Sequence, residues 1–181
     1  MMEKIGLFYG SDTGYTEGVA QQIEEIFGKD KLDSSDIRSA RKENFSAYNF
    51  IIIGLSTWHD GKLQSDWEDF FNDFKTIDFT GKTVAFFGLG DQVGYAEYFI
   101  DGVGILAEVV YENGGNIVGV WPTDNYEFEA SKAVFQDGWF YGLALDEDNQ
   151  SDLTVDRVQV WTEQVKEEFL EVAGEGYDLR L

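Results

Sequence analysis

Four short stretches of the chain are almost continuously apolar: KIGLFY at 4–9, FIIIG at 50–54, TVAFFG at 83–88 and IVGV at 117–120. They do not alternate apolar with polar, which is the pattern of strands covered on both faces, as in a parallel sheet. Residues 31–36 read as a weak edge strand, and LAL at 143–145 as a further strand fragment. Between these runs the apolar spacing changes to three and four. Val19, Ile23, Ile26 and Phe27 share one face of a helix over 16–27, and Trp67, Phe70, Phe71 and Phe74 do so over 66–74. Ile105, Leu106, Val109 and Val110 line a helix over 98–113 that stops at Gly114-Gly115. Val158, Trp161, Val165 and Phe169, with Leu170 or Val172, line a helix over 155–172. Strand alternating with helix predicts an α/β domain, a three-layer doubly wound sandwich with helices on both faces of a parallel sheet.

At 181 residues the chain is long enough for one good core, and residues 1–181 are expected to form a single domain. Residues 123–141, TDNYEFEASKAVFQDGWFY, do not fit a minimal unit of this kind. Their length marks a functional or disordered segment, and their aromatics argue against disorder.

Composition removes several chemistries. With no cysteine there are no disulfides, thiolate metal sites, iron–sulfur clusters or cysteine nucleophiles, and one histidine, His59, leaves little room for a histidine metal site or triad. No apolar run approaches the ~20 residues of a membrane span. Met1 leads almost directly into the first apolar run, so no secretory leader is expected and the expected location is cytoplasmic. Thirteen Lys+Arg against 35 Asp+Glu give a net charge of −22. Such a chain repels nucleic acid and anionic membranes. The charge serves solubility, or it steers the chain toward basic protein partners.

In a doubly wound sheet, ligands sit beyond the carboxyl ends of the strands. Three loops there carry the chemistry. The first, GSDTGYT at 10–16, offers the hydroxyls of Ser11, Thr13 and Thr16, a close backbone approach at Gly14, and the N-terminus of the following helix. That combination holds a phosphate without lysine, although simple N-capping by Ser, Asp or Thr explains the same residues. The second, GLSTWHDGKLQSDW at 54–67, places Trp58 just past a buried strand, where it has no core to fill. The third, GLGDQVGYAEYF at 88–99, offers Gly90, Asp91 as an acceptor, and Tyr95 as a second exposed aromatic. A phosphate anchor with two flat side chains describes a site for a mononucleotide with a planar aromatic head.

Four motifs, KIGLFYGSDTGYT, GLSTWHDGKLQSDWEDF, GKTVAFFGLGDQVGYAEYF and GLALDEDNQSDLT, resemble the flavodoxins, in particular the long-chain kind of cyanobacteria, and do so from near Met2 to Phe169. The resemblance implies a five-stranded parallel sheet of order 2-1-3-4-5, non-covalent FMN, and an insertion, residues 123–141, that splits the fifth strand. Carried over position by position, it implies that Ser11, Asp12, Thr13, Gly14, Tyr15 and Thr16 bind the phosphate. Ser56 and Thr57 line the ribityl side, with Asp148 near the ribityl hydroxyls. Trp58 covers the inner ring face and Tyr95 the outer, Leu89, Gly90 and Asp91 address the pyrimidine edge, and Tyr98 lies near the ring edge. The His59–Asp60 peptide stands at the redox switch, with Gly61 supplying backbone freedom. Here Ser56 stands where relatives often have proline, Tyr15 where lysine is common, and His59-Asp60 where a small or apolar residue is more usual.

The implied function is one-electron transfer at low potential, shuttling FMN between semiquinone and hydroquinone. The implied partners are photosystem I, ferredoxin–NADP reductase or other ferredoxin-dependent reductases, met by a monomer. No catalytic residue and no metal site is expected. Two other classes stay open on the sequence alone. One is an FMN-dependent quinone reductase on the same fold, which Trp58 and Tyr95 disfavour by covering the ring. The other is a receiver-type signalling domain, which the sequences after the first and third strands fit badly.

Overall fold

The computed structural model describes residues 3–174 and 176–181. Met1 and Met2, where the motif resemblance begins, lie outside the described residues. The elements are β1 (Ile5–Tyr9), α1 (Tyr15–Phe27), β2 (Leu32–Asp36), β3 (Phe50–Trp58), β4 (Lys62–Leu63), α2 (Ser65–Phe74) and β5 (Thr83–Leu89). They continue with α3 (Asp101–Glu112), β6 (Asn116–Val118), β7 (Trp121–Pro122), β8 (Val134–Gln136), β9 (Trp139–Phe140), β10 (Leu143–Leu145) and α4 (Thr154–Ala173).

The central sheet runs β2-β1-β3-β5, all parallel, and β6 and β10 share the place beside β5. Thr83, Val84 and Ala85 pair with Asn116, Ile117 and Val118, whereas Phe87, Gly88 and Leu89 pair with Leu143, Ala144 and Leu145. The fifth strand is therefore split in two, and the order is the expected 2-1-3-4-5. The continuous apolar runs resolve into two faces. On β3, Ile51, Ile53 and Leu55 pack with Trp67, Phe70 and Phe74 of α2 and Val103, Leu106 and Val110 of α3. Phe50 and Ile52 face the other way, among Val19, Ile23 and Phe27 of α1 and Val158, Trp161, Val165 and Phe169 of α4. Successive strand side chains alternate sides, so a run buried on both faces feeds two cores at once.

The differences from the sequence reading have local causes. The third strand does not stop at Gly54: it continues to Trp58 because β5 pairs with it as far as Ser56 and because β4 folds back antiparallel, with Thr57 opposite Leu63 and Trp58 opposite Lys62. The strand expected over 117–120 ends at Val118, since Gly119 turns the chain with φ 75°. The helix expected from Tyr98 begins at Asp101, after a 3-10 turn over Ala96–Tyr98 and a left-handed Ile100 at φ 48°.

The inserted segment is ordered. It forms an antiparallel β7-β9-β8 sheet, and fully buried Phe140 packs with Phe99, Tyr126 and Phe128. The Tyr126 hydroxyl donates to the Ala144 carbonyl at 2.6 Å and accepts from Trp121 Nε1 at 3.0 Å, tying the insertion to β10.

Candidate cofactor cleft

The first loop leaves β1 and enters α1 at Gly14, whose φ of 90° is a left-handed value that glycine adopts freely. A Cβ at this position would meet nothing within 4 Å, so conformation and not space calls for glycine here. Ser11 Oγ accepts from the Gly14 N–H at 3.1 Å and closes the turn. Among the described residues no side chain caps the helix itself. The N-capping explanation of this loop therefore does not describe the fold: the first turn of α1 keeps its N–H groups and partial positive charge available to an anion. Asp12 is used differently, accepting from Gln64 Nε2 at 2.9 Å and Ser65 Oγ at 2.8 Å, which fastens the loop to the start of α2.

The second group of residues stands at the end of β3. Thr57 Oγ1 accepts from the Gly102 N–H at 2.9 Å, which leaves its own hydroxyl hydrogen free to donate. Trp58 is half-buried, and its Nε1 is shielded from water with no acceptor among the described residues. His59 follows at a left-handed φ of 46° and is exposed. Its ring centroid lies 6.3 Å from that of Trp58 and 6.3 Å from that of Tyr95, edge-on to the tyrosine at 81°. Exposed Asp60 and buried Gly61 complete the turn. Gly61 has φ 83° and rests on α3: a Cβ there would come within 2.8 Å of Asp101 Oδ2 and 3.3 Å of Tyr98 Cδ1.

The third loop is held from the side by the loop after β10. The Gly90 N–H donates to the Leu145 carbonyl at 3.0 Å. Asp91 Oδ1 accepts from the N–H groups of Val93 and Gly94 at 3.0 and 2.7 Å and from Asn149 Nδ2 at 2.9 Å. Burial pushes the Asp91 carboxyl up, but these donors outweigh it and hold the group below the ordinary carboxylate range. Asp146, fully buried, accepts from Gln92 through both its backbone N–H and its side chain, and from the N–H groups of Asp148 and Asn149. Asp148 titrates above the ordinary range because burial and its neighbours Asp91 and Asp146 disfavour its charge.

These parts enclose an open cleft of about 220 Å³ lined by Thr13, Tyr15, Thr16, Ser56, Thr57, Trp58, His59, Leu89, Gly90, Asp91, Tyr95, Glu147 and Asp148. Twelve of the residues singled out in the sequence thus meet at one place. Ser11, Asp12, Gly14, Asp60, Gly61 and Tyr98 stand behind its walls or in its turns. Glu147 was missed, although it is adjacent to Asp148. Among the described residues lining the cleft none is lysine or arginine, and three, Asp91, Glu147 and Asp148, are acidic. Hydroxyls and helix N–H groups at one end and two aromatics at the other suit an anionic tail joined to a flat ring.

A doubly wound sheet with such a cleft beyond its carboxyl edge defines a mononucleotide-binding domain. The sequence model of the flavodoxin family matches residues 7–161, and the chain belongs to that family. Its split fifth strand places it with the long-chain members. It is 52% identical over 169 residues to a flavodoxin of Nostoc sp., covering 93% of this chain and 99% of the relative. It is 48% identical to the flavodoxin of Haemophilus influenzae, covering 92% and 96%. Among solved structures, the Fusobacterium nucleatum flavodoxin bound to flavin mononucleotide superposes with a TM-score of 0.86 at 35% identity, over 92% of this chain and 99% of that one.

Proposed function

We propose that the cleft binds FMN with its phosphate on Ser11, Thr13, Gly14, Tyr15 and Thr16 and its ring between Trp58 and Tyr95. The chain is an FMN-based electron carrier and not an enzyme, as the flavodoxins are. The observation that carries the placement is the uncapped N-terminus of α1, opening with Thr13 and Thr16 onto the same cleft as the two aromatics. The unpartnered Trp58 indole N–H is a donor in want of an acceptor, which also favours a polar ligand there.

FMN, when bound, supplies the redox chemistry; the side chains set its terms. Trp58 and Tyr95 keep water from the ring. Asp91, Glu147 and Asp148, in a chain of charge −22, oppose added negative charge on the ligand, which lowers the potential of the second electron. Ser56, Thr57 and Asp148 serve the ribityl chain, and Leu89, Gly90 and Asp91 the pyrimidine edge. The turn of His59, Asp60 and Gly61, backed by Tyr98, is the element that responds to the redox state. The carrier works between its one-electron-reduced and fully reduced levels, as a cytoplasmic monomer. Its acidic surface meets basic partners: photosystem I as donor, and ferredoxin–NADP reductase or another ferredoxin-dependent reductase as acceptor. Among the described residues no helix is long and apolar enough to cross a membrane.

A visible spectrum of the purified protein, followed by anaerobic stepwise reduction, tests this reading. Flavin bands giving way to a stable one-electron-reduced species support it. A colourless protein that takes up no added FMN overturns it.

A further inference from the structure

One surface hollow is roomier than the cofactor cleft. It measures about 640 Å³ and lies between α3 and the inserted sheet, lined by Glu108, Tyr111, Glu112, Lys132, Phe135 and Tyr141 among others. A second hollow of about 410 Å³ shares Tyr111, Phe135 and Tyr141 with it. Three aromatic rings thus form a ridge between two hollows. Tyr111 is 72% exposed and Phe135 42%, and the Phe135 and Tyr141 rings stack at 4.7 Å and 28°. The insertion does not expose Phe135 for want of a core, since Phe140 in the same segment is fully buried. Contiguous exposed apolar surface of this kind marks an interaction site.

The flank of the ridge says what fits it. Glu108 stands three residues before Tyr111 on α3, so its carboxylate neighbours the tyrosine ring, and Glu112 lines the same hollow. Glu108, Tyr111 and Tyr141 line the same hollow, and the Tyr141 hydroxyl is held protonated to higher pH by burial and then by Glu108 and Tyr111. Carboxylates beside exposed aromatic faces match an arginine, whose guanidinium stacks on a ring and pairs with an acid. The chain already uses such a contact internally: the Arg157 guanidinium lies 4.3 Å from the centre of the Tyr126 ring. A second copy of the chain is a poor occupant, because each copy carries −22.

We propose that the Tyr111–Phe135–Tyr141 ridge, flanked by Glu108 and Glu112, docks an arginine-bearing segment of a basic protein partner. The docking place is separate from the cofactor cleft. Asp101, at the start of α3, touches the turn at Gly61, while Tyr111 is ten residues further along the helix, roughly 15 Å at the usual rise. A short arginine-bearing segment seated on the ridge does not itself occupy the cleft. The inference does not depend on what the cleft binds.

The test uses the full chain and a short synthetic peptide of arginine, leucine and serine at near-physiological salt. Amide shifts in NMR are expected at residues 108–112 and 132–141. The charge-neutral double substitution Tyr111→Ala/Phe135→Ala, confined to exposed residues, is expected to weaken binding about tenfold. Glu68→Gln, beside the cleft, removes one charge and is expected to change it by less than about twofold, as screened surface charges do. Shifts confined to the cleft rim in the unsubstituted protein, or equal affinity for the double variant, overturn the proposal. So does sedimentation showing that the unsubstituted chain pairs with itself through these rings.

Discussion

Asn149 Nδ2 donates to Asp91 Oδ1 at 2.9 Å, so the loop after β10 braces the neighbouring loop after β5 from the side. Replacing Asn149 by alanine removes one of the donors that hold the Asp91 carboxyl low. Its titration, followed by NMR, is expected to move up toward the ordinary range. A carboxyl with a lowered folded value contributes stability above its unfolded pKa and loses it as the pH falls through the folded one. The Asn149→Ala variant should therefore lose part of its advantage at neutral pH over acid, by less than about 1 kcal/mol because solvent screens the site. FMN affinity is expected to fall several-fold, read by fluorescence titration.

Asp101 has the opposite sign. Burial pushes its carboxyl above the ordinary range, against the Lys132 N–H, which donates to Oδ1 at 2.8 Å, and the Lys132 charge. The folded state thus opposes its ionisation, and that cost is present above the folded pKa and vanishes below the unfolded one. Asp101→Asn keeps an acceptor for Lys132 and removes the charge. Its melting temperature is expected to exceed that of the unsubstituted protein at pH 7, and the difference should shrink as the pH is lowered toward 4.

A phosphate dianion entering this cleft meets three acidic side chains and no lysine or arginine among the described residues lining it. Salt therefore screens repulsion and not attraction. FMN affinity is expected to rise as ionic strength is raised from low to near-physiological, measured by titration at each salt concentration. A fall would place a cation at the phosphate.

Gly10 lies against Gln64, a fully buried amide that donates to Asp12 and whose Oε1 accepts from the Trp67 N–H at 3.2 Å to cap α2. A Cβ at Gly10 would collide with that Gln64 oxygen and come within 2.7 Å of Trp67 Cδ1. Gly10→Ala is expected to cost about 1–3 kcal/mol, as overpacking does. Urea unfolding should show it together with weaker FMN binding.

The layers of the fold were legible because burial on both faces leaves mostly apolar residues in β1, β5 and the first six positions of β3, and because α1, α2, α3 and α4 each keep one apolar face. The cleft was legible because its residues lie directly after strands. What escaped depends on partners distant in sequence. Ser56 and Thr57 look like loop residues until Leu89 of β5 pairs with the first and Leu63 of β4 with the second. Gln64 and Asp146 are polar, yet both are fully buried, because Asp12 and Ser65 surround the first and Gln92 and Asn149 the second. Nothing in a linear pattern separates such hubs from ordinary surface residues.

The division of the fifth strand has one more consequence. Val118 stands opposite Ala85 and Leu143 opposite Phe87, so only the rung at Phe86 separates the point where the chain leaves the sheet from the point where it rejoins. The sheet reads residues 119–142 as a parenthesis, opened and closed at neighbouring rungs. Such a segment can lengthen or shorten at its exposed turns without shifting the register on either side, as long as the Tyr126 bond to Ala144 and the packing of Phe140 on Phe99 are kept.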